Sequence, residues 1–328
     1  MSLMMPYLAV LLLCLTAHVA AAEPIYLALL KGTNALAYLA PDGKLLSSVP
    51  VGEHPHEMAF SPDRKLLYTT DNGVMRIEHQ GKGGNRISVI DVSSRKRIGV
   101  IPLGDFYRPH GIDVDERTGM LAVTVELPDR LLIVDPVKRK VVKNFDTKGK
   151  TSHMVTLGPA AQWAYVSNSG SSNVAAINVT SGETKLIQTG ERPEGGVLSR
   201  DGKELYVTNR EAGLITVIDT AKHQPIAHIQ TGKGPVRIAI TSDGSTLVYA
   251  LMHERKVAFA DPRQRMQTGY VIVPGEPISC HLSRDGKRAF VSTETTDTIY
   301  VISIADKKIV GEIKLPQGSA PDPVVELQ

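Results

Sequence analysis

The sequence predicts an all-β protein: a seven-bladed β-propeller with four antiparallel strands per blade, closed by pairing its C-terminal strand with its N-terminal strands. Three observations carry this. Two strand-like patterns recur in tandem along the chain. A proline marks a fixed point in almost every copy, at a nearly constant spacing. The two ends of the chain hold complementary parts of one further copy.

The first pattern reads LLYTTDN from Leu66, MLAVTVE from Met120, WAYVSNS from Trp163, ELYVTNR from Glu204, TLVYALM from Thr246 and RAFVSTE from Arg288. The second follows each of them: RISVIDVSSRK from Arg86, RLLIVDPVKRK from Arg130, NVAAINVTSGE from Asn173, LITVIDTAKHQ from Leu214, KVAFADPRQRM from Lys256 and TIYVISIADKK from Thr298. A third strand ends in a turn, and a short apolar strand then leads to the next copy. The runs are β-branched and aromatic, and they alternate poorly, as strands covered on both faces do. No window shows sustained helical spacing.

The anchor positions are Pro55, Pro109, Ser152, Pro193, Pro235, Pro277 and Pro321, at successive spacings of 54, 43, 41, 42, 42 and 44 residues. Four strands in a period near 40 residues mark a propeller blade. The long first interval holds an insertion near Asp71 to Asn85, rich in glycine and charge. At the ends, IYLALL from Ile25, ALAYLA from Ala35 and KLLSSV from Lys44 supply three strands, and Pro321 to Leu327 supplies the missing inner one. Joining them completes the seventh blade and removes the edges an open array would expose.

The first 22 residues read as a signal peptide. An apolar run from Leu8 to Thr16 is followed by an Ala-rich stretch in which Ala20 and Ala22 fit the small-x-small cleavage pattern. The run is shorter than the about 20 apolar residues that span a bilayer. The expected product is a periplasmic or secreted protein with no membrane insertion after cleavage, comprising residues 23–328. Cleavage removes Cys14 and leaves Cys280 alone, so no intramolecular disulfide forms and the core must hold the fold. The net charge is +3, with basic residues scattered, and no nucleic-acid partner is expected.

ELYVTNR, WAYVSNS and LITVIDT resemble the YVTN-type β-propeller repeat, across essentially all of the mature chain. The resemblance implies an exported bacterial or archaeal propeller. It implies no reaction, because related propellers include lactonases, surface-layer proteins and proteins associated with quinone-dependent oxidation.

Familiar catalytic motifs are absent. The glycines of 81–84 and 232–234 lack the strand-to-helix context of a nucleotide site, so no nucleotide cofactor is expected. The informative feature is the residue after each anchor, which begins the innermost strand at one mouth of the central channel. Around the ring it reads His56, His110, His153, Glu194, Val236, Ile278 and Asp322. Five of these seven are metal-ligand types, and three of the chain's 10 histidines fall in this one slot. Arg108, Arg192 and Arg237 flank the mouth, as do His54 and Glu57.

A site for a divalent transition-metal ion, with His56, His110, His153, Glu194 and Asp322 as ligands, is one reading. A wet channel holding ordered water is the other. The corresponding functions are an accessory propeller that binds a small ligand, metal or protein partner at its top face, or a metal-assisted lactonase- or lyase-like enzyme. In the enzyme, Glu194 would be the general base. Cys280 reads as a buried small hydrophobe. Asp91, Asp135, Asp219 and Asp261 read as turn caps.

Overall fold

The computed structural model describes residues 26–327. Both the expected signal peptide and Cys14 lie outside the described residues. Seven four-stranded antiparallel sheets follow one another around a central channel. The inner strands of the first six blades are Pro55–Phe60, Tyr107–Val114, Ser152–Leu157, Pro193–Leu198, Pro235–Ile240 and Pro277–Leu282. In the seventh blade the inner strand is Pro321–Glu326, and it pairs antiparallel with Tyr26–Leu30, with Leu27 opposite Val325. Closure by the two ends is therefore as the repeat count requires.

Burial explains the weak alternation. In the second strand of a blade, such as Leu66–Asp71, five of six residues are buried. The largest fully buried side chains, among them Tyr38, Tyr249, Phe259 and Phe290, lie in such middle strands and fill the space between neighbouring sheets. The outer strands, such as Lys96–Pro102, are largely exposed. The repeated aspartates cap the turns that lead to them. Asp91 accepts from Ser94 N at 2.8 Å, Asp135 from Lys138 N at 2.9 Å, Asp219 from Lys222 N at 2.9 Å and Asp261 from Gln264 N at 3.0 Å.

The residue before the anchor is left-handed in six blades: His54, Arg108, Thr151, Arg192, Gly234 and Ala320 have φ of 41°, 57°, 57°, 59°, 76° and 45°. For the non-glycine residues this costs roughly 1 kcal/mol each. Its recurrence makes it a property of the turn into the inner strand and not of any one ligand. Among the described residues, no helix is long and apolar enough to cross a membrane. Cys280 is buried in the sixth inner strand, and burial pushes its thiol up to about 12, so it is inert at neutral pH.

Candidate functional site at the channel mouth

The slot after each anchor does line the channel mouth. His56, His110, His153, Glu194 and Asp322 are all at most 5 % exposed. The three imidazoles stack in blade order, with ring centroids 4.4 Å apart for His56 and His110 and 3.8 Å for His110 and His153.

The repeat itself fixes their backbone. In four blades a hydroxyl near the end of the second strand, from Thr70, Thr124, Thr208 or Ser292, reaches into the next blade. Thr70 Oγ1 donates to the His110 carbonyl at 2.8 Å, Thr124 Oγ1 to that of His153 at 2.6 Å, and Ser292 Oγ to that of Asp322 at 2.5 Å. Thr70 and Thr124 also accept a backbone N–H from their own inner strand, Glu57 N at 3.0 Å and Gly111 N at 2.8 Å. Ser or Thr suits this role because a hydroxyl both donates and accepts at so short a reach. The Thr of ELYVTN is thus a clamp between blades that positions the ring.

Two residues further along, the same repeat lays down a second ring: Lys31, Asn72, Glu126, Ser169, Arg210, Met252 and Glu294. In three blades it pairs with the first ring. His110 Nδ1 lies 3.1 Å from Glu126 Oε1, Arg210 Nη1 lies 3.7 Å from Glu194 Oε1, and Lys31 Nζ donates to Asp322 Oδ2 at 2.9 Å. The sequence reading stopped at the first ring, but the same alignment held the second.

The expected ligands therefore have distinct partners. His110 and His153 come together with Glu126, and one ligand atom from each lies within 4.8 Å of the others. Asp322, expected in the ligand ring, is instead held by Lys31, which also pairs with Glu294 at 2.5 Å. His56 Nε2 points to the carbonyl of Val74 at 2.8 Å, in the inserted loop. Glu194 Oε2 takes His153 Nε2 at 2.7 Å, and this leaves His153 Nδ1 buried without a partner.

Of the flanking residues, Arg108 Nε lies 2.9 Å from Glu126 Oε2. Arg237 pairs with Glu57 across the channel, from the fifth blade to the first, with Nε to Oε1 at 3.0 Å. His54 Nδ1 faces the Lys31 carbonyl at 3.1 Å. Burial, opposed by Arg108 and reinforced by Asp129, Glu194 and Glu78, lifts the Glu126 carboxyl to about 8. Burial also pushes Glu194 up, but His153 and the Arg237 and Arg210 guanidiniums outweigh it and hold this carboxylate near 2. Burial, with neighbouring positive groups, keeps the His56 and His110 imidazoles neutral well below their usual range.

The insertion of the first blade folds over the mouth from above. Its neck is pinched where Gly73 and Gly84 approach. A Cβ on Gly73 would stand 2.1 Å from Gly84 N, and Gly84 N donates to the Asn72 carbonyl at 2.7 Å. From this neck Met75, Arg76, Ile77 and Glu78 extend over the histidines and cover a chamber of about 90 Å³. Arg76 reaches Glu294 at 3.4 Å, Arg108 donates to the Ile77 carbonyl at 3.0 Å, and Glu78 pairs with Arg192 and, at 3.7 Å, with Arg210. Below the Glu57–Arg237 pair a second cavity of about 480 Å³ opens to the other face.

No family model matches the sequence, and no curated protein matches it. Solved structures do. A functionally unknown protein from Desulfotomaculum acetoxidans DSM 771 superposes with a TM-score of 0.79 at 13 % identity, over 93 % of this chain and 99 % of that one. Kuenenia stuttgartiensis hydrazine synthase gives 0.68 at 15 % identity, over 79 % and 86 %. The dihydro-heme d1 dehydrogenase NirN, in complex with DHE, gives 0.66 at 15 % identity, over 92 % and 67 %. At these identities the likeness establishes the propeller fold and nothing narrower.

Proposed function

We propose that this chain is an exported YVTN-type propeller that binds a divalent transition-metal ion at its channel mouth through His110, Glu126 and His153, and presents it to a small ligand. The observation that carries the reading is the buried His110, Glu126 and His153 cluster, in which His153 keeps an unpartnered Nδ1. Glu194 takes the Nε2–H of His153, which fixes the tautomer and leaves the Nδ1 lone pair free, as a carboxylate behind a ligating histidine does. A tetrahedral ion with bonds of about 2.1 Å holds its donors about 3.4 Å apart, so donors that now lie within 4.8 Å of one another would draw together around it. Two imidazoles and a carboxylate suit zinc, copper, iron or manganese. The repeat resemblance and the apolar N-terminal run support a periplasmic or secreted location.

Within the enzymatic alternative the roles shift. A carboxylate held near 2 is a weak base at neutral pH, so Glu194 serves better to orient His153 than to take a proton. Glu126, near 8, has the matched proton affinity.

The test is metal analysis of the purified protein. It should carry close to one divalent transition-metal ion per chain. Both His110→Ala and Glu126→Gln should lose it, and His228→Ala, on an outer strand, should keep it. A chelator should lower the melting temperature of the parent and of the His228 variant but not of the other two. An ion present at a hundredfold its Kd stabilises the fold by about 2.7 kcal/mol. Failure to bind at micromolar metal, or equal binding without His110, would leave a wet channel.

A further inference from the structure

We infer that the mouth takes a small carboxylate-bearing ligand in the seat now filled by the lid residue Glu78, so that ligand binding and lid release are one event. The inference rests on the reading of the mouth as a ligand site, but not on the metal.

Arg192 and Arg210 converge on Glu78 from the fourth blade. Both arginines belong to the rigid frame. Arg192 is the left-handed residue before Pro193, and Arg210 follows the strand Glu204–Asn209. Their side chains are only 23 % and 18 % exposed, whereas that of Glu78 is 50 % exposed. The guanidiniums are fixed and mostly dry, and the carboxylate that meets them arrives on a loop. Such a planar pair of cations is suited to a carboxylate.

Lifting Glu78 away without replacement would take a charge-assisted partner from each of the two mostly dry guanidiniums, and leaving buried N–H groups unpaired is costly. A carboxylate from outside restores those contacts. An internal group that occupies the seat is therefore a competitor, and its removal raises affinity for the external ligand.

The other charges restrict the class. Arg192 Nε is already 3.3 Å from Glu194 Oε1, and Glu211 lies 3.9 Å from Arg192 and 3.6 Å from Arg210. Glu194 and Glu211 already match the two guanidiniums in charge, so the seat takes at most the single charge that Glu78 now brings, and a dianion such as sulfate would be repelled by Glu194 and Glu211. Its position also matters. Glu78 lines the same chamber as His110 and His153, so a ligand in its place opens onto that cluster. The chamber of about 90 Å³ beneath the lid has room for several waters or a short aliphatic chain.

The probe is butyrate, titrated calorimetrically into chelator-treated, metal-free protein, with butyramide as the neutral isostere and sulfate as the dianion. Butyrate should bind at least about tenfold more tightly than either control. Glu78→Gln should bind it about tenfold more tightly than the parent, and Arg192→Gln should lose it. Hydrogen exchange of lid amides 75–82 in the parent should rise when butyrate is added. If butyramide or sulfate binds as well as butyrate, if Glu78→Gln shows no gain, or if lid exchange stays flat, the inference fails. Should Glu78→Gln not fold, the isostere comparison and the exchange measurement decide on the parent alone. Because every arm is metal-free, loss of the proposed metal site leaves this result untouched, and the reverse also holds.

Discussion

Asp113, near the lower end of the second inner strand, accepts N–H bonds from Leu157 and from Val114, both at 2.8 Å. Burial nevertheless lifts its carboxyl to about 6, against about 3.9 in an unfolded chain. The folded state thus holds this proton more tightly, so the stability it contributes is present below about pH 4 and is lost as pH rises to about 6. A gap of two units sets an upper limit of about 3 kcal/mol, reduced by partial exposure to channel water. We predict that melting curves of the parent and of Asp113→Asn, compared from pH 4 to 7, diverge through this window, with the parent losing stability relative to the variant; parallel curves would overturn the assignment. Individual residues were the least legible level of the sequence. The histidine slot emerged from one aligned column, and its place at the mouth was correct. The partners Glu126, Lys31 and Arg210 were missed because that column was read alone. They stand in the next inward-facing column of the same repeat, where their identities, Glu, Lys and Arg, vary from blade to blade and so drew no attention.

The strand-terminal hydroxyls link blades at the level of the element. Thr124 accepts from Gly111 N and donates to the His153 carbonyl, so one side chain sets both the pitch between the second and third blades and the height of a candidate ligand. Replacement by Val keeps the volume and leaves a buried N–H and a buried carbonyl unpaired. Thr124→Val should cost about 1–3 kcal/mol, measured by denaturant unfolding, and should weaken metal binding where Thr208→Val, beside the apolar Val236, does not. Equal effects on the metal at the two sites would reduce the clamp to general packing. The strands themselves were legible because each carries its own run of β-branched residues between turn residues. Their ends shifted by a residue or so: Lys44 precedes the third strand and Leu327 follows the last. The insertion was visible as extra length rich in glycine and charge, but its role as a cover was not. Gly73, Gly83 and Gly84 announce a loop, and nothing local says that the loop folds inward. That outcome depends on Arg192 and Arg210, more than a hundred residues away.

At the scale of the whole molecule, seven blades followed from counting, because a fixed period leaves a propeller few alternatives and the two ends complete one blade between them. Lys31, from the first hairpin of that blade, pairs with Asp322 of its last strand and with Glu294 of the sixth blade. The seam is thereby fastened by charge as well as by strand pairing. Deleting residues 322–328 should remove the inner strand, strand Lys31 beside Glu294, and open two edges. We expect a broad, non-cooperative unfolding transition or aggregation, and a truncated protein that melts like the parent would refute the closure. The Glu57–Arg237 pair, anchored on nearly opposite blades, has a different kind of consequence. It stands between the upper chamber and the cavity below, and while it holds, exchange with the upper chamber runs through the mouth. Traffic through a single door is ordered: whatever sits deepest must enter first and leave last. An ion bound by His110, Glu126 and His153 would be trapped for as long as a second occupant holds the Arg192–Arg210 seat above it, and its residence time would be set by that occupant and not by its own bonds.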